Sequence, residues 1–587
     1  MKSALFFLSL TWALTHTISA QIAPNHHWVG FQDKVGCGVD LSAPNVGQAL
    51  LSQRALDRRM RHGIALDSTD LPLCAHYVSD VLALGASNEG QALRVLHQSK
   101  WFNGIVVQID TALADSSQVV ALLAEIESLT SVAEVRRTNW HQSRGEMPVV
   151  PQRRRTPVLD ESGTGPYGMA WDQTRQLRLD LIHGLGHKGQ GMMVGVLDSG
   201  FDRIDTNPAL ERARQDGRIQ VGGNFPNGGA ISPFIYEEHS HGAMVLSTMA
   251  GVLDSSQAGP FMGSAPDAAY VLFRTEDVGW ENLVEEYHWV AAAERADSMG
   301  CDILNTSLGY SLFDDTTAHH DLLELDGNTF RITQASDLAA SKGMLVFNSA
   351  GNSGNSAWQK ITAPADGDSV LAIGAVGVNG VRASFSSFGP TADGRIKPDL
   401  CAMGQDAAYI HPDGSIRTGN GTSFSSPILC GAATSLWSAH PNQPAWAIRN
   451  ALIESASQST APDTTRGYGI PDLWAAHLAL GGTAPAEDEA NVVVFPNPVP
   501  TASQRLKVMF REPMLLSAPS QPLEWTVLAA SGRLISEGQM ARGKEVLTTF
   551  TLHTAPLATG TYLLLLRGVP LEDKSATPTA WARFVVE

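Results

Sequence analysis

Cysteine is scarce in this chain, with five in 587 residues, an odd number. That excludes an array of small disulfide-stapled domains and leaves a large hydrophobic core to hold the protein together. Basic residues are outnumbered: 41 Lys and Arg face 59 Asp and Glu, a formal net charge of −18. A general nucleic-acid binder needs a basic surface to displace counterions from phosphates, so that class is excluded. Long apolar runs are also missing. Beyond the first residues no window holds the ~18 uninterrupted apolar residues that span a bilayer, so the mature protein is expected to have no transmembrane segment. Apolar residues at 43% and charged residues at 17% give a globular balance. The length is about four times the ~150 residues of a typical domain, and no internal repeat is found, so several different domains are expected.

Residues 1–20 read MKSALFFLSLTWALTHTISA, with Lys2 ahead of an apolar run that closes on the small residues Ser19-Ala20. This is the pattern of a signal peptide, the alternative being a buried N-terminal helix. Two composition breaks divide the remainder. Pro148 to Pro157 combines prolines with Arg153-Arg154-Arg155 and reads as an exposed, cleavable connection or a solvated charge run. Gly481 to Ala490 is polar, acidic and aperiodic, a linker. The expected division is therefore 21–157, 158–480, a linker at 481–490, and 491–587. Within the first segment, Ile105, Val107 and Ile109 alternate as one face of a strand does. Val119, Leu122, Leu123, Ile126 and Leu129 follow at helical spacing, and Val132 and Val135 begin a further strand.

The middle segment carries the chemistry. Met192 to Leu197 is a short apolar run ending in Asp198-Ser199-Gly200, so Asp198 falls at the carboxyl end of a buried parallel strand. Such an acid either serves a site or caps a turn. His241, in HSHGAMV, opens a helix whose inner face is Val245, Leu246 and Met249, with Gly242 clearing room beside it. Neutral imidazole is the usual general base near pH 7. The alternatives are a structural histidine or a His239/His241 metal pair, the latter lacking a carboxylate or cysteine at a recognised spacing. His319-His320 lies in a polar stretch expected to be loop. Gly419 to Pro427, GNGTSFSSP, delivers Ser423 to the start of an apolar helix. There a serine either caps the helix or acts as a nucleophile facing free backbone N–H groups. Composition alone does not choose among Ser423, Ser425 and Ser426. Met344 to Asn352, MLVFNSAGN, is another apolar strand, and Asn352 at its end is a candidate donor to an oxyanion.

Asp198 in VGVLDSGFD, His241 in HSHGAMV, Asn352 in SAGNSG and Ser423 in GTSFSSP resemble the subtilisin-like serine proteases, the subtilases, in their chain order of Asp, His, Ser. The stretches GSAP, DILNTSLG, SFSSFGP and KPD between 263 and 399 agree, and the resemblance covers roughly residues 165–480. Ala243 stands where many members have Thr. The resemblance implies an α/β, parallel-sheet catalytic domain preceded by an α+β propeptide that chaperones folding and blocks the cleft. It implies protein or peptide substrates, a triad of Asp198, His241 and Ser423 with Asn352 in the oxyanion hole, and Ser307, Leu308 and Gly309 binding an extended peptide by β-strand addition. No metal or organic cofactor is implied for the chemistry. Many relatives bind structural Ca²⁺, but no ligand set is assigned here, Asp202 and Asp205 reading equally well as solvated acids.

After Phe495-Pro496-Asn497-Pro498, several short alternating segments, a turn at Ser531-Gly532-Arg533 and a final Ala582-Arg583-Phe584-Val585-Val586 predict a C-terminal β-sandwich. This pattern resembles the type IX secretion sorting domain of Bacteroidota, which implies a route through the periplasm to the cell surface or medium and the export machinery as partner. An accessory substrate-binding domain is the alternative. Two rivals to a protease remain. An inactive subtilase-like binding or adhesion protein would be expected to lack Asp198, His241 or Ser423. A serine esterase has the opposite chain order. Cys37 and Cys74 fall in the first segment. Cys401 and Cys430 read as core residues, with a bond between them left open.

Overall fold

The computed structural model describes residues 25–87, 90–110, 112–113, 116–138, 165–254, 259–482, 492–495, 505–510, 523–540, 549–553, 557–558, 560–567 and 579–586. The expected signal peptide, the Arg153–Arg155 run, most of the linker and the Pro496-Asn497-Pro498 motif lie outside them.

A seven-stranded parallel sheet organises the middle of the chain. Its strands lie side by side in the order Leu400–Met403, Leu371–Val376, Leu345–Ser349, Ile303–Thr306, Met193–Asp198, Ala269–Arg274, Ile219–Asn224. The strands are apolar on both faces because helices cover both. Val194, Val196, Leu272, Ile303, Leu345 and Phe347 face a core shared with helices His241–Ala250 and Thr422–Ala439. Their neighbours Leu197, Val271, Phe273, Leu304 and Val346 face the opposite core, with helices Val284–Met299 and Arg331–Ser341. A period of two with both phases apolar is what a doubly covered parallel sheet requires.

Residues 25–138 form a separate antiparallel sheet, ordered Leu93–Ser99, Gly104–Ile109, Asn25–Phe31, Val132–Arg137, with helix Ser116–Ser128 packed on it. The strand–helix–strand read from 104 to 138 is present. The first strand and the helices Gln53–His62 and Ala75–Leu84 had no clear sequence signal. Ile105, Val107 and Ile109 enter this sheet's own core, whereas Val106 is buried on the other face with Trp28 and Leu96 against Val284 and Tyr287. The N-terminal segment thus lies on helix Val284–Met299.

Charge fixes that contact. Arg58 and Arg59 are buried and pair with Asp297, Arg59 also forking onto Asp70 at 2.9 and 3.1 Å. Glu294 accepts from Lys100 N at 2.9 Å and Trp101 N at 3.3 Å, and from Ser99 Oγ. Burial pushes Glu294 up to about 7 despite those bonds. Burial also holds His26 down to about 3 and His288 to about 4, where His97 and His288 meet edge to face at 4.9 Å. Removing one partner of a buried pair of the Arg58–Asp297 kind typically costs about 3–5 kcal/mol, so these contacts hold the segment on the sheet domain.

The C-terminal residues form two antiparallel sheets, of three strands (Val492–Phe495, Arg505–Phe510, Thr549–His553) and four (Leu534–Met540, Leu523–Ala529, Gly560–Arg567, Thr579–Val586). All five cysteines, Cys301 included, are free, so Cys401 and Cys430 are not bonded to each other. Burial raises both thiols, Cys401 to about 12 and Cys430 likewise well above its ordinary value, leaving them as core residues. Among the described residues no helix is long and apolar enough to cross a membrane.

Candidate active site

Strands Met193–Asp198 and Ile303–Thr306 are neighbours, yet the chain goes from the first to strands on one side and from the second to strands on the other. Ligands in open α/β sheets bind beyond the carboxyl ends of strands at such a reversal. Asp198 ends the first of these strands, and Ser307 follows the second. Strand Leu345–Ser349, on the far side of Ile303–Thr306, leads to Asn352.

Asp198 is fully buried, and its Oδ1 accepts from Ser199 N at 2.8 Å and Ser199 Oγ at 3.2 Å. His241 Nδ1 lies 2.7 Å from the same oxygen. An ionised carboxylate only accepts, so Nδ1 carries the proton and Nε2 is the free basic nitrogen. Desolvation opposes the imidazolium, but the Asp198 charge and hydrogen bond outweigh it and raise the His241 pKa above its ordinary 6.5. The ring remains 24% exposed, so Nε2 is within reach of a cleft. Gly242 makes the approach possible: a Cβ there would stand 2.5 Å from Gly200 O and 2.8 Å from Asp198 Cβ. His239 is not a second base. Ser199 Oγ already gives its proton to Asp198, so His239 Nδ1, 2.8 Å away, donates to that hydroxyl and helps hold the aspartate.

Helix Thr422–Ala439 brings Ser423 to the same edge in its first turn. The three serines separate here. Ser425 and Ser426 are fully buried and donate to Thr422 O (3.1 Å) and Asn305 Oδ1 (3.0 Å), while Ser423 keeps 9% exposure. Pro427, inside the helix, has no N–H to give to the carbonyl one turn back. That carbonyl belongs to Ser423, and Ser307 Oγ satisfies it at 3.1 Å. Ser423 Oγ in turn donates to Ser307 O at 3.1 Å. It therefore makes no hydrogen bond to His241 Nε2 in this rotamer; bonds of this kind often form only with substrate present.

Asn352 is exposed, and its amide oxygen is occupied from both sides by Thr422, whose N donates at 2.8 Å and Oγ1 at 3.0 Å. This fixes the amide with its NH₂ as the free end. Thr422 N being used, Ser423 N–H is the next first-turn donor without an intrahelical acceptor. The two donors share one neighbourhood at the helix start: a Cβ on Gly421 would stand 3.6 Å from Ser423 N and 3.8 Å from Asn352 Nδ2. Leu308 O is held by Asn348 Nδ2 (3.2 Å) and Ser349 Oγ (3.3 Å), and Gly309 is exposed, so Ser307–Gly309 offers a pinned, accessible edge.

Sequence reasoning missed several supporting residues. Thr422, Ser199 and Asn305 act through the hydrogen bonds above, and a hydroxyl or amide next to a motif carries no signal of its own. Glu276 is buried near Asp198, pushed up to about 8 by burial while Tyr310 and Thr275 hydroxyls donate to it. The loop expected at His319-His320 is largely that, with two short 3₁₀ turns, but His320 is buried, stacked on Phe330 at 3.6 Å and bonded to Tyr310 O at 3.2 Å. Asp202 stands 3.9 Å from Arg203, and no three His, Cys, Asp or Glu side chains gather as round a metal ion among the described residues.

The model of the Subtilase family matches residues 189–469. That of the Peptidase S8 propeptide domain of Bacteroidota matches residues 26–146. Subtilisin DY of Bacillus licheniformis is 30% identical over 295 residues, which are 50% of this chain and 92% of that protein. A subtilisin of Bacillus pumilus is 30% identical over 298 residues, 50% of this chain and 91% of its own length. Subtilisin BL of Lederbergia lenta is 30% identical over 304 residues, 52% and 94%.

Proposed function

Because the chain belongs to the subtilase family of serine proteases and carries a propeptide domain of the Bacteroidota type, we propose that it is a secreted endopeptidase, made as a proenzyme, working through Asp198, His241 and Ser423. The observation that carries the reading is the joint geometry: a buried carboxylate fixing His241 in the Nδ1–H form, and the most accessible of three serines beside two free N–H donors.

Substrate lies as an added strand along Ser307–Gly309. Ser423 Oγ turns from Ser307 O, gives its proton to His241 Nε2 and attacks the scissile carbonyl carbon. Charge moves to the carbonyl oxygen, which Ser423 N–H and Asn352 Nδ2 hold. His241 returns the proton to the leaving amine, the C–N bond breaks, and water then hydrolyses the acyl-enzyme by the same steps. Asp198 stabilises the imidazolium in both halves. No step is routed through a metal, and calcium, if bound, is structural.

Before cleavage, residues 25–138 act as the chaperone and inhibitor, anchored by Arg58, Arg59 and Glu294. The C-terminal sheets are the export signal for type IX secretion, removed or anchored at the surface. Deleting 491–587 is then expected to leave protease trapped in the periplasm, read by fractionation; unchanged export would reassign those sheets to substrate binding.

Asn352 gives the test specific to the mechanism. Since its amide meets charge only as it develops, Asn352→Ala is expected to lower kcat by about 10²–10³-fold with KM nearly unchanged, the size of effect known for this role in subtilisin. A rise in KM at constant kcat would make Asn352 a substrate-binding residue instead.

A further inference from the structure

Helices Val284–Met299 and Arg331–Ser341 both end at the edge of the sheet opposite the cleft, each leading into the amino end of the next strand. The last carbonyls of a helix lack intrahelical partners and form the negative end of its dipole, so a cation belongs beside them. Neither helix carries a basic residue in its last turn, and the first carries Asp297 instead. Lys342, just beyond the second, gives its Nζ to Asp67 of the N-terminal segment at 2.8 Å.

The cations come from helix Gln53–His62. Arg54 donates to Gly300 O at 3.0 Å and Gly191 O at 2.9 Å and pairs with Asp302. Arg58 donates to Lys342 O at 3.2 Å and Asp297 O at 3.3 Å, and also bonds Cys301 O and the Asp297 carboxylate. Arg59 reaches Asp297 Oδ2 at 2.8 Å, and Arg61 reaches Asp302 Oδ1 at 3.1 Å. Arg54, Arg58 and Arg61 stand at i, i+4 and i+7, along one face of the helix. The fit is close: a Cβ on Gly300 would lie 2.7 Å from Ala55 N, and one on Gly343 2.3 Å from His62 Nδ1. Asp297, Asp302 and Arg58 are fully buried there.

This edge is remote from the chemistry. Asp302 Oδ2 accepts from Met193 N at 3.0 Å, at the start of the strand that ends in Asp198. The length of that strand, at about 3.3 Å per residue, separates the two ends by about 17 Å. Every acceptor facing the arginines belongs to the sheet domain, so the set stays with the protease when residues 25–138 are cut away. Carboxylates and carbonyls arranged around one plane match the five N–H groups of a guanidinium, which an ammonium does not reproduce.

On the proenzyme reading above, we propose that this edge is a second binding site of the matured protease, separate from the cleft and specific for an arginine-bearing helix. Helix Gln53–His62 is its occupant in the proenzyme. A ligand of this class competes with the N-terminal segment for the domain and leaves the triad open to substrate.

The test uses matured protease whose cleft has been filled covalently by a peptidyl phosphonate, so that binding there is excluded. The probe is a fluorescent synthetic peptide of residues 50–73, followed by anisotropy. Saturable binding is expected, weakened at least ~10-fold when the peptide carries Arg58→Lys and Arg59→Lys, because an ammonium cannot fork across two acceptors. Asp297→Asn in the protease, with full phosphonate labelling as proof of folding, is expected to weaken the unaltered peptide at least ~10-fold as well. Equal affinity of the arginine and lysine peptides, an Asp297→Asn protein that binds as wild type does, or no saturable binding up to about 1 mM overturns the inference and leaves the protease reading standing. Failure of the phosphonate to react with folded, matured wild type overturns the reading on which it rests.

Discussion

Ser423→Ala is expected to lower kcat by about 10⁶-fold, the loss known for the nucleophile of subtilisin. The hydroxyl is the group that forms and breaks the covalent bond, so nothing adjacent substitutes for it. Ser425 and Ser426 are fully buried with their hydroxyls committed to Thr422 O and Asn305 Oδ1. The donors of the oxyanion hole survive the change, so a residual ~10³–10⁴-fold acceleration over water is expected to remain. The variant is also expected to accumulate as the unprocessed chain with residues 25–138 attached, if maturation is autocatalytic, visible as a larger species by mass spectrometry. Loss of stability would not mimic this result, because Ser423 Oγ makes a single hydrogen bond, to Ser307 O. Activity within tenfold of wild type would show that another residue is the nucleophile.

The second large effect is expected at Asp198. Asp198→Ala removes the acceptor of His241 Nδ1 and leaves the ring free to take the tautomer with its proton on Nε2, which cannot accept from serine. The expected loss is about 10⁴-fold in kcat, smaller than at Ser423, in keeping with the order seen in subtilisin. The pH profile separates this role from a merely structural one. In wild type His241 is raised above 6.5, desolvation being outweighed by the Asp198 charge and hydrogen bond. Activity needs the neutral ring, so kcat/KM rises as pH increases through that raised value. Without Asp198 the residual activity is expected to rise at lower pH, since burial then acts unopposed. An acid limb that stays in place would mean that Asp198 does not govern the base.

The placement of the candidate site residues was legible in the sequence because each of them ends or begins an element. Asp198 and Asn352 follow apolar strand runs, and His241 and Ser423 open helices, so short motifs mark them. What remained unread depends on contacts between distant parts of the chain. Composition left Ser423, Ser425 and Ser426 equivalent and only the motif's resemblance chose Ser423; the physical distinction appears where Asn305, on a strand of the sheet, takes the Ser426 hydroxyl. Helix Gln53–His62 carried no clear signal, and its Arg58 and Arg59 are buried because Asp70 and Asp297, distant in the chain or beyond the helix, neutralise them. Val106 looks like the outward face of a strand until Val284 and Tyr287 cover it.

The central claim is that Ser423 is an activated nucleophile, and labelling of the purified, matured protein with a fluorophosphonate probe, beside Ser423→Ala, tests it most directly. The account predicts stoichiometric labelling of wild type, mapped to Ser423, and none of the variant. Labelling of both proteins would contradict the assignment of the nucleophile. Labelling of neither, in folded protein freed of residues 25–138, would contradict the protease reading and favour a binding protein on the same fold.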